Sequence, residues 1–110
     1  MMLVKVKDLN GDALDYAVAI NNGWKWLGGK EICFRNQVLI IGESYSPSKN
    51  IAQSGEFIRC VYEMYNSSDS VKIIPFVGET IQNKKMEVAL CQAYLINCFI
   101  KEVEIPDELL

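Results

Sequence analysis

Histidine is absent from this chain of 110 residues, so the most frequent general base and the commonest metal ligand are both missing. None of its four cysteines, Cys33, Cys60, Cys91 and Cys98, forms the CxxC pair typical of zinc sites. We therefore expect no metal and no cofactor. Because each cysteine lies in or beside an apolar run, we expect free, mostly buried, slowly reacting thiols in a reducing compartment.

Basic residues are also few: 11 Lys and Arg stand against 14 Asp and Glu, a formal net charge of −3. Lys84-Lys85 is the only adjacent basic pair, whereas phosphate backbones bind clustered Lys and Arg. The composition therefore argues against nucleic acid as the main partner. The start, Met1–Val4, lacks the basic leader of a secretory signal, and the length predicts a single domain spanning residues 1–110.

The longest apolar run extends from Met86 to Ile100 and has the length of a four-turn helix. Only three of its residues are polar: Glu87, Gln92 and Asn97. On a helix these three point in scattered directions, so the pattern predicts a buried core helix. A membrane span needs about 20 apolar residues, and Lys101 closes this run early.

A helix that is apolar nearly all round needs cover on every side. One small sheet and one other helix leave part of it open, and soluble monomers rarely expose a large apolar strip. We therefore expect a homodimer with Tyr94 and Phe99 as its anchors. The alternative is that the sheet curls around the helix and leaves it internal within one chain.

Around this run the sequence predicts an α+β domain: a small antiparallel sheet packed against a long buried C-terminal helix and an N-terminal helix. The N-terminal helix spans Asn10–Ile20, with Asn10 as N-cap and Gly23 as the left-handed end. In 56–65 a helical pattern is preferred to a strand, and the apolar run Val38–Ile41 predicts a strand covered on both faces. Further short runs predict strands at 3–9, 24–27, 31–34, 71–74 and 103–105.

The longest irregular stretch runs from Gly42 to Gly55, and loops held by a scaffold are where binding residues concentrate. Ser46 followed by Pro47 reads as a helix cap with proline at the first helical position. We expect this stretch and its neighbours to form the binding site, with no catalytic residue and no metal ligand. The candidate binding residues are Asp15, Tyr45, Ser46, Ser48, Asn50, Gln53 and Arg59.

The same stretch contains near matches to two catalytic motifs. Gly42-Glu43-Ser44-Tyr45-Ser46 approaches the nucleophile elbow, but its last residue is not glycine and no histidine can act as the base. Lys49 lacks the preceding glycine and the following hydroxyl of a phosphate-binding P-loop. We interpret the segment as a capped turn, and Trp24 and Trp26 as core residues rather than a base-stacking platform.

Three segments in chain order resemble the NinX-like family of phage and prophage proteins. Leu9–Ala19 is similar to the opening of that family, Tyr45–Ser48 with Ala52–Gly55 to its central stretch, and Ala93–Leu110 to its C-terminus. The chain departs from the family where Asn50-Ile51 replaces Asp-Trp, Ser54 replaces glycine, and Arg59-Cys60 replaces Glu-Arg. The resemblance implies a bacterial cytoplasm and a phage or prophage origin.

No biochemical activity is established for that family, so the resemblance supplies context rather than mechanism. We expect an accessory protein that binds another protein of host or phage and is not an enzyme. The alternative is an enzyme that processes a small molecule or nucleotide with the Gly42–Gly55 loop, using Asp15 or Arg59.

Overall fold

The longest apolar run folds as helix α3, Met86–Asn97, in a computed structural model that describes all 110 residues. The helix is three residues shorter than predicted because the chain turns at Cys98 and Phe99. Phe99 has φ 65°, and its N–H donates to the Ile96 carbonyl (2.9 Å) while the Ile100 N–H donates to the Leu95 carbonyl (3.1 Å). This pair of bonds is the Schellman motif, which satisfies the last carbonyls of the helix.

The chain forms an α+β fold, as predicted, but with three small antiparallel sheets instead of one. Besides α3 its helices are α1 (Gly11–Asn21) and the short α2 (Ile51–Ser54), with 3₁₀ helices at Val6–Asp8, Gly55–Cys60 and Asp107–Leu109. The eight strands are β1 (Met2–Lys5), β2 (Lys25–Gly28), β3 (Glu31–Phe34), β4 (Gln37–Ile40), β5 (Val61–Asn66), β6 (Val71–Pro75), β7 (Ile81–Asn83) and β8 (Glu102–Ile105).

The strands pair into three separate sheets. The first joins the two ends of the chain, with β1 antiparallel to β8 and Leu3 opposite Glu104. The strands predicted at 24–27, 31–34 and 38–41 form the second sheet as the antiparallel meander β2-β3-β4, whose β3–β4 turn has Arg35 and Asn36 at positive φ. The third sheet has the order β5-β6-β7, with β6 in the centre, so Pro75 ends that strand rather than placing it at an edge.

Helix α3 is covered by elements of its own chain. Its faces pack against α1, the strands β6 and β7, and the 3₁₀ helix Gly55–Cys60, and eight of its twelve residues are buried. Tyr94 is half-buried, stacks on Phe57 with ring centroids 4.3 Å apart, and accepts a hydrogen bond from Asn21 (2.8 Å). The helix is therefore mostly internal within one chain, but helices and the β5-β6-β7 sheet cover it rather than one sheet curled around it. The homodimer stays a prediction.

Several local predictions were wrong. Strand β4 lies at a sheet edge with Val38 56% exposed, so it is not covered on both faces. The 56–65 segment is not one helix: it begins as a 3₁₀ helix and continues as β5, because its aromatic and β-branched residues pair with β6. The strand β7 was not predicted, nor was the 3₁₀ helix Asp107–Leu109, which buries Leu109 to 5% exposure.

The two tryptophans pack as predicted, half-buried against the core. Trp24 contacts Phe34 and Tyr45 with ring centroids 5.6 and 5.8 Å apart. Trp26 meets the Tyr16 ring edge-on and donates its Nε1–H to the Gly29 carbonyl (3.0 Å). No helix in the structure has the length and apolar character needed to cross a membrane.

The four cysteines are free, but they are not equally buried, which corrects the expectation of uniformly slow thiols. Cys91 is fully buried and burial raises its pKa, whereas Cys98 is exposed just beyond the end of α3. We expect thiol titration of the native protein to find one rapidly reacting group, removed in Cys98→Ala, and all four only in denaturant. Rapid native reaction that persists in Cys98→Ala would contradict this packing.

Candidate functional site

The predicted loop, 42–55, is fastened to helix α1 by one carboxylate. The Ser48 N–H donates to Oδ1 of Asp15 (2.8 Å), and the Ser48 hydroxyl donates to Oδ2 (3.0 Å). Asp15 is 0% exposed and Ser48 1% exposed, so neither side chain is accessible to a ligand. The structure thus brings these two predicted residues together, in a contact that fixes the loop.

The burial of Asp15 changes its acidity. Removal from water raises the pKa of this carboxyl to about 6, against the opposing effect of the two hydrogen bonds from Ser48. Nearby Asp12 acts in the same direction as burial, while Lys49 lowers the pKa. The side chain therefore gains a proton near pH 6 in the folded protein, well above the usual range of an aspartate.

A second group of hydrogen bonds closes the loop on itself. Gln53 accepts the Ser46 N–H at Oε1 (2.7 Å) and donates from Nε2 to the Ser44 carbonyl (3.2 Å). Asn50, not Ser46, caps α2, with Oδ1 accepting the Ala52 N–H at 2.9 Å. The cap prediction for Ser46 was wrong because a turn follows Pro47, in which the Asn50 N–H bonds the Ser46 carbonyl (2.9 Å), and the helix begins only afterwards.

Two of the predicted binding residues, Tyr45 and Arg59, have side chains outside these hydrogen bonds. The Ser44 hydroxyl accepts the Ile40 N–H (2.8 Å), which makes the near-elbow a capped turn as interpreted. Arg59 lies on the following 3₁₀ helix with its side chain 76% exposed, 4.0 Å from Glu56. Tyr45 is half-buried beside Trp24, and burial raises its pKa. The polar groups of the loop are thus mostly engaged with one another.

A different surface has the features of a contact site, and we call Tyr62, Phe76, Val77 and Phe99 the aromatic surface. Their exposed fractions are 63%, 62%, 38% and 80%. Tyr62 and Phe76 meet edge to face with ring centroids 5.6 Å apart. The sequence identified Phe99 as an interface anchor, but it placed Tyr62 in the segment 56–65 predicted as helical and assigned Phe76 and Val77 to no element.

The segment after β6 brings this surface to the end of α3. The Val77 N–H donates to Oδ1 of Asn97 (3.2 Å). Gly78 has φ +102° and packs so closely that an added Cβ would lie 2.1 Å from Cγ2 of Ile96. Only glycine fits there, and the close approach places Phe76 and Val77 beside the residues that follow the helix.

Phe99 occupies a backbone conformation that disfavours its residue type. It has φ 65° at the helix-end position where glycine is usual, and the left-handed region costs an L residue roughly 1–2 kcal/mol. A buried ring could offset that cost, but Phe99 is 80% exposed. The position therefore combines backbone strain with an unburied aromatic ring, a combination associated with functional sites.

A scan against protein-family models finds no match for the sequence, and a search of curated proteins finds no significant match either. The resemblance to NinX-like proteins therefore stays a prediction.

We expect Asp15→Asn to change how stability depends on pH. With a pKa of 3.8 when unfolded and about 6 when folded, Asp15 stabilises the fold fully below pH 4 and loses that contribution as the pH rises through about 6. As the pH rises across this window, the wild type should lose about 2 to 3 kcal/mol of unfolding free energy relative to Asp15→Asn.

The measurement is urea denaturation at a series of pH values. Asn can keep both contacts to Ser48, so the variant should fold, and Asp69→Asn in an exposed loop serves as the control. A difference in unfolding free energy that stays constant from pH 4 to 7 would show that folding does not raise the pKa of Asp15.

Proposed function

We propose that this chain is a non-enzymatic accessory protein that binds another protein through the aromatic surface. The observation that carries the proposal is Phe99, an aromatic ring 80% exposed on a strained left-handed backbone. A partner that buries this ring gains apolar and aromatic contact. Aromatic side chains are also the residue type most enriched at the centres of interfaces.

The neighbours of Phe99 support the same reading. Val77 is bonded through its N–H to Asn97, two residues before Phe99, and the exposed ring of Phe76, next to Val77 in the chain, contacts the exposed ring of Tyr62. Strand β5 forms an edge of its sheet with no strand on its outer side. An open edge beside aromatic anchors suits an extended segment of a partner, which adds main-chain hydrogen bonds to side-chain contacts.

The enzymatic alternative receives less support. The Gly42–Gly55 loop uses Asp15, Ser48 and Gln53 in hydrogen bonds within the chain, and Arg59 lies apart from them with Glu56. The one hydroxyl there that meets a carboxylate, Ser48 beside Asp15, is only 1% exposed, so a substrate cannot reach it. A phage or prophage origin and action in the bacterial cytoplasm belong to the same proposal, and their support is the sequence resemblance.

The substitution Phe99→Gly tests backbone strain and partner binding by two different measurements. Phe99→Gly should raise the unfolding free energy by up to about 1 kcal/mol, because glycine accepts the left-handed conformation while little buried area is lost. The same variant should fail to capture the partner that the immobilised wild-type chain retains from bacterial lysate, identified by mass spectrometry and then titrated as a purified protein.

The matched control is Val38→Ser, which removes an exposed apolar side chain from β4, outside the aromatic surface. It should retain the partner. Equal retention by Phe99→Gly would contradict the proposal. Sedimentation of the wild type tests self-association: a single species of 12.5 kDa excludes the predicted homodimer, whereas twice that mass, lost in Phe99→Gly, identifies the partner as a second copy.

A further inference from the structure

A groove of about 570 Å³ lies between the starts of α1 and α3, far along α3 from the aromatic surface, and we call it the basic groove. Lys49 from the loop and Lys84 and Lys85 before α3 contribute its charge, and Asn10 and Gln82 add amide side chains. No acidic side chain lines it. The groove is thus locally positive in a chain whose net charge is −3.

These three lysines lack partners of opposite charge. The ion pairs of the chain use Lys7 with Glu79, Lys30 with Asp12 (3.0 Å), Arg59 with Glu56 (4.0 Å), and the N-terminus with Asp107 (3.6 Å). Asp12, in the first turn of α1, is paired with Lys30, and Asp15 is fully buried and held by Ser48. The three ammonium groups of the groove therefore remain without a salt bridge, although the charge of Lys49 acts on Asp15 and lowers the pKa of its carboxyl.

The backbone adds to the same field. Both α1 and α3 begin at the groove, and neither has a side chain that accepts a hydrogen bond from its first N–H groups. Free N–H groups and the positive end of the helix dipole favour an anion at this place. The lysines supply the charge, and the helix starts supply directed donors beside it.

We propose that the basic groove binds a small ligand carrying two or more phosphate groups. Several close ammonium groups suit a polyanion better than a single carboxylate, and the volume lies within the range of small-molecule sites, about 300–1,000 Å³. An extended nucleic acid needs a continuous basic track. The other basic side chains do not extend the groove into a track. Lys5, Lys7 and Lys101 line a separate groove that also holds Glu79 and Glu102, and Lys7, Lys30 and Arg59 are already paired.

The test uses inorganic pyrophosphate and ADP as probes in calorimetric titration of the whole chain at low salt. We expect one molecule bound per chain, with about tenfold or greater loss of affinity in Lys84→Gln and in Lys49→Gln. Lys25→Gln, an exposed lysine in β2 outside the groove, is the matched control and should bind as the wild type does. Amide resonances of Gly11, Lys49 and Lys85 should shift on addition of pyrophosphate.

Three results would overturn the proposal. The first is no heat and no resonance shift up to roughly 1 mM of either probe. The second is an equal loss of affinity in Lys25→Gln, which indicates non-specific charge attraction. The third is tighter binding of a single-stranded oligonucleotide that depends on lysines outside the groove as well. Phe99→Gly should bind pyrophosphate normally, so this site and the aromatic surface are tested separately.

Discussion

The burial of α3 inside its own chain is the constraint on which the rest of the structure depends. The sheet β1-β8 has only two strands and the other two sheets have three each, and sheets this small need a hydrophobic face to pack against, a two-stranded one most of all. The elements α1, β6 and β7 each pack against this helix. Its one fully buried polar side chain, Gln92, donates to the carbonyls of Leu9 (2.9 Å) and Lys7 (3.3 Å). Gln92 therefore attaches the N-terminal segment to the core.

Local signals in the sequence were sufficient for the elements whose own residues determine them. The periodic run of α1, the turn-separated meander, and the apolar run of α3 were all predicted close to their observed positions. The elements that were predicted wrongly depend on contacts between residues distant in sequence. Strand β1 pairs with β8 across nearly the whole chain, and 61–66 becomes a strand only because β6 lies beside it. Division into three sheets follows from packing around α3, which no short window of sequence contains.

The same distinction separates what could be predicted of the candidate site. Asp15 and Ser48 were both named as site residues, but their mutual hydrogen bonds depend on how the loop docks onto α1. Phe99 was selected for its apolar character in a helix thought to continue past it. Its exposure instead results from the helix ending at Asn97, a boundary set by the turn geometry and by the close packing of Gly78 on Ile96.

The two proposed surfaces lie at opposite ends of one rigid element. Helix α3 has twelve residues, and at about 1.5 Å per residue its ends are about 18 Å apart. The basic groove adjoins its first residues and the aromatic surface its last ones. A small phosphorylated ligand and a protein partner can therefore bind together without overlap. Because eight of the twelve residues of α3 are buried in one core cluster, coupling between the sites would have to pass through the close-packed elements around the helix.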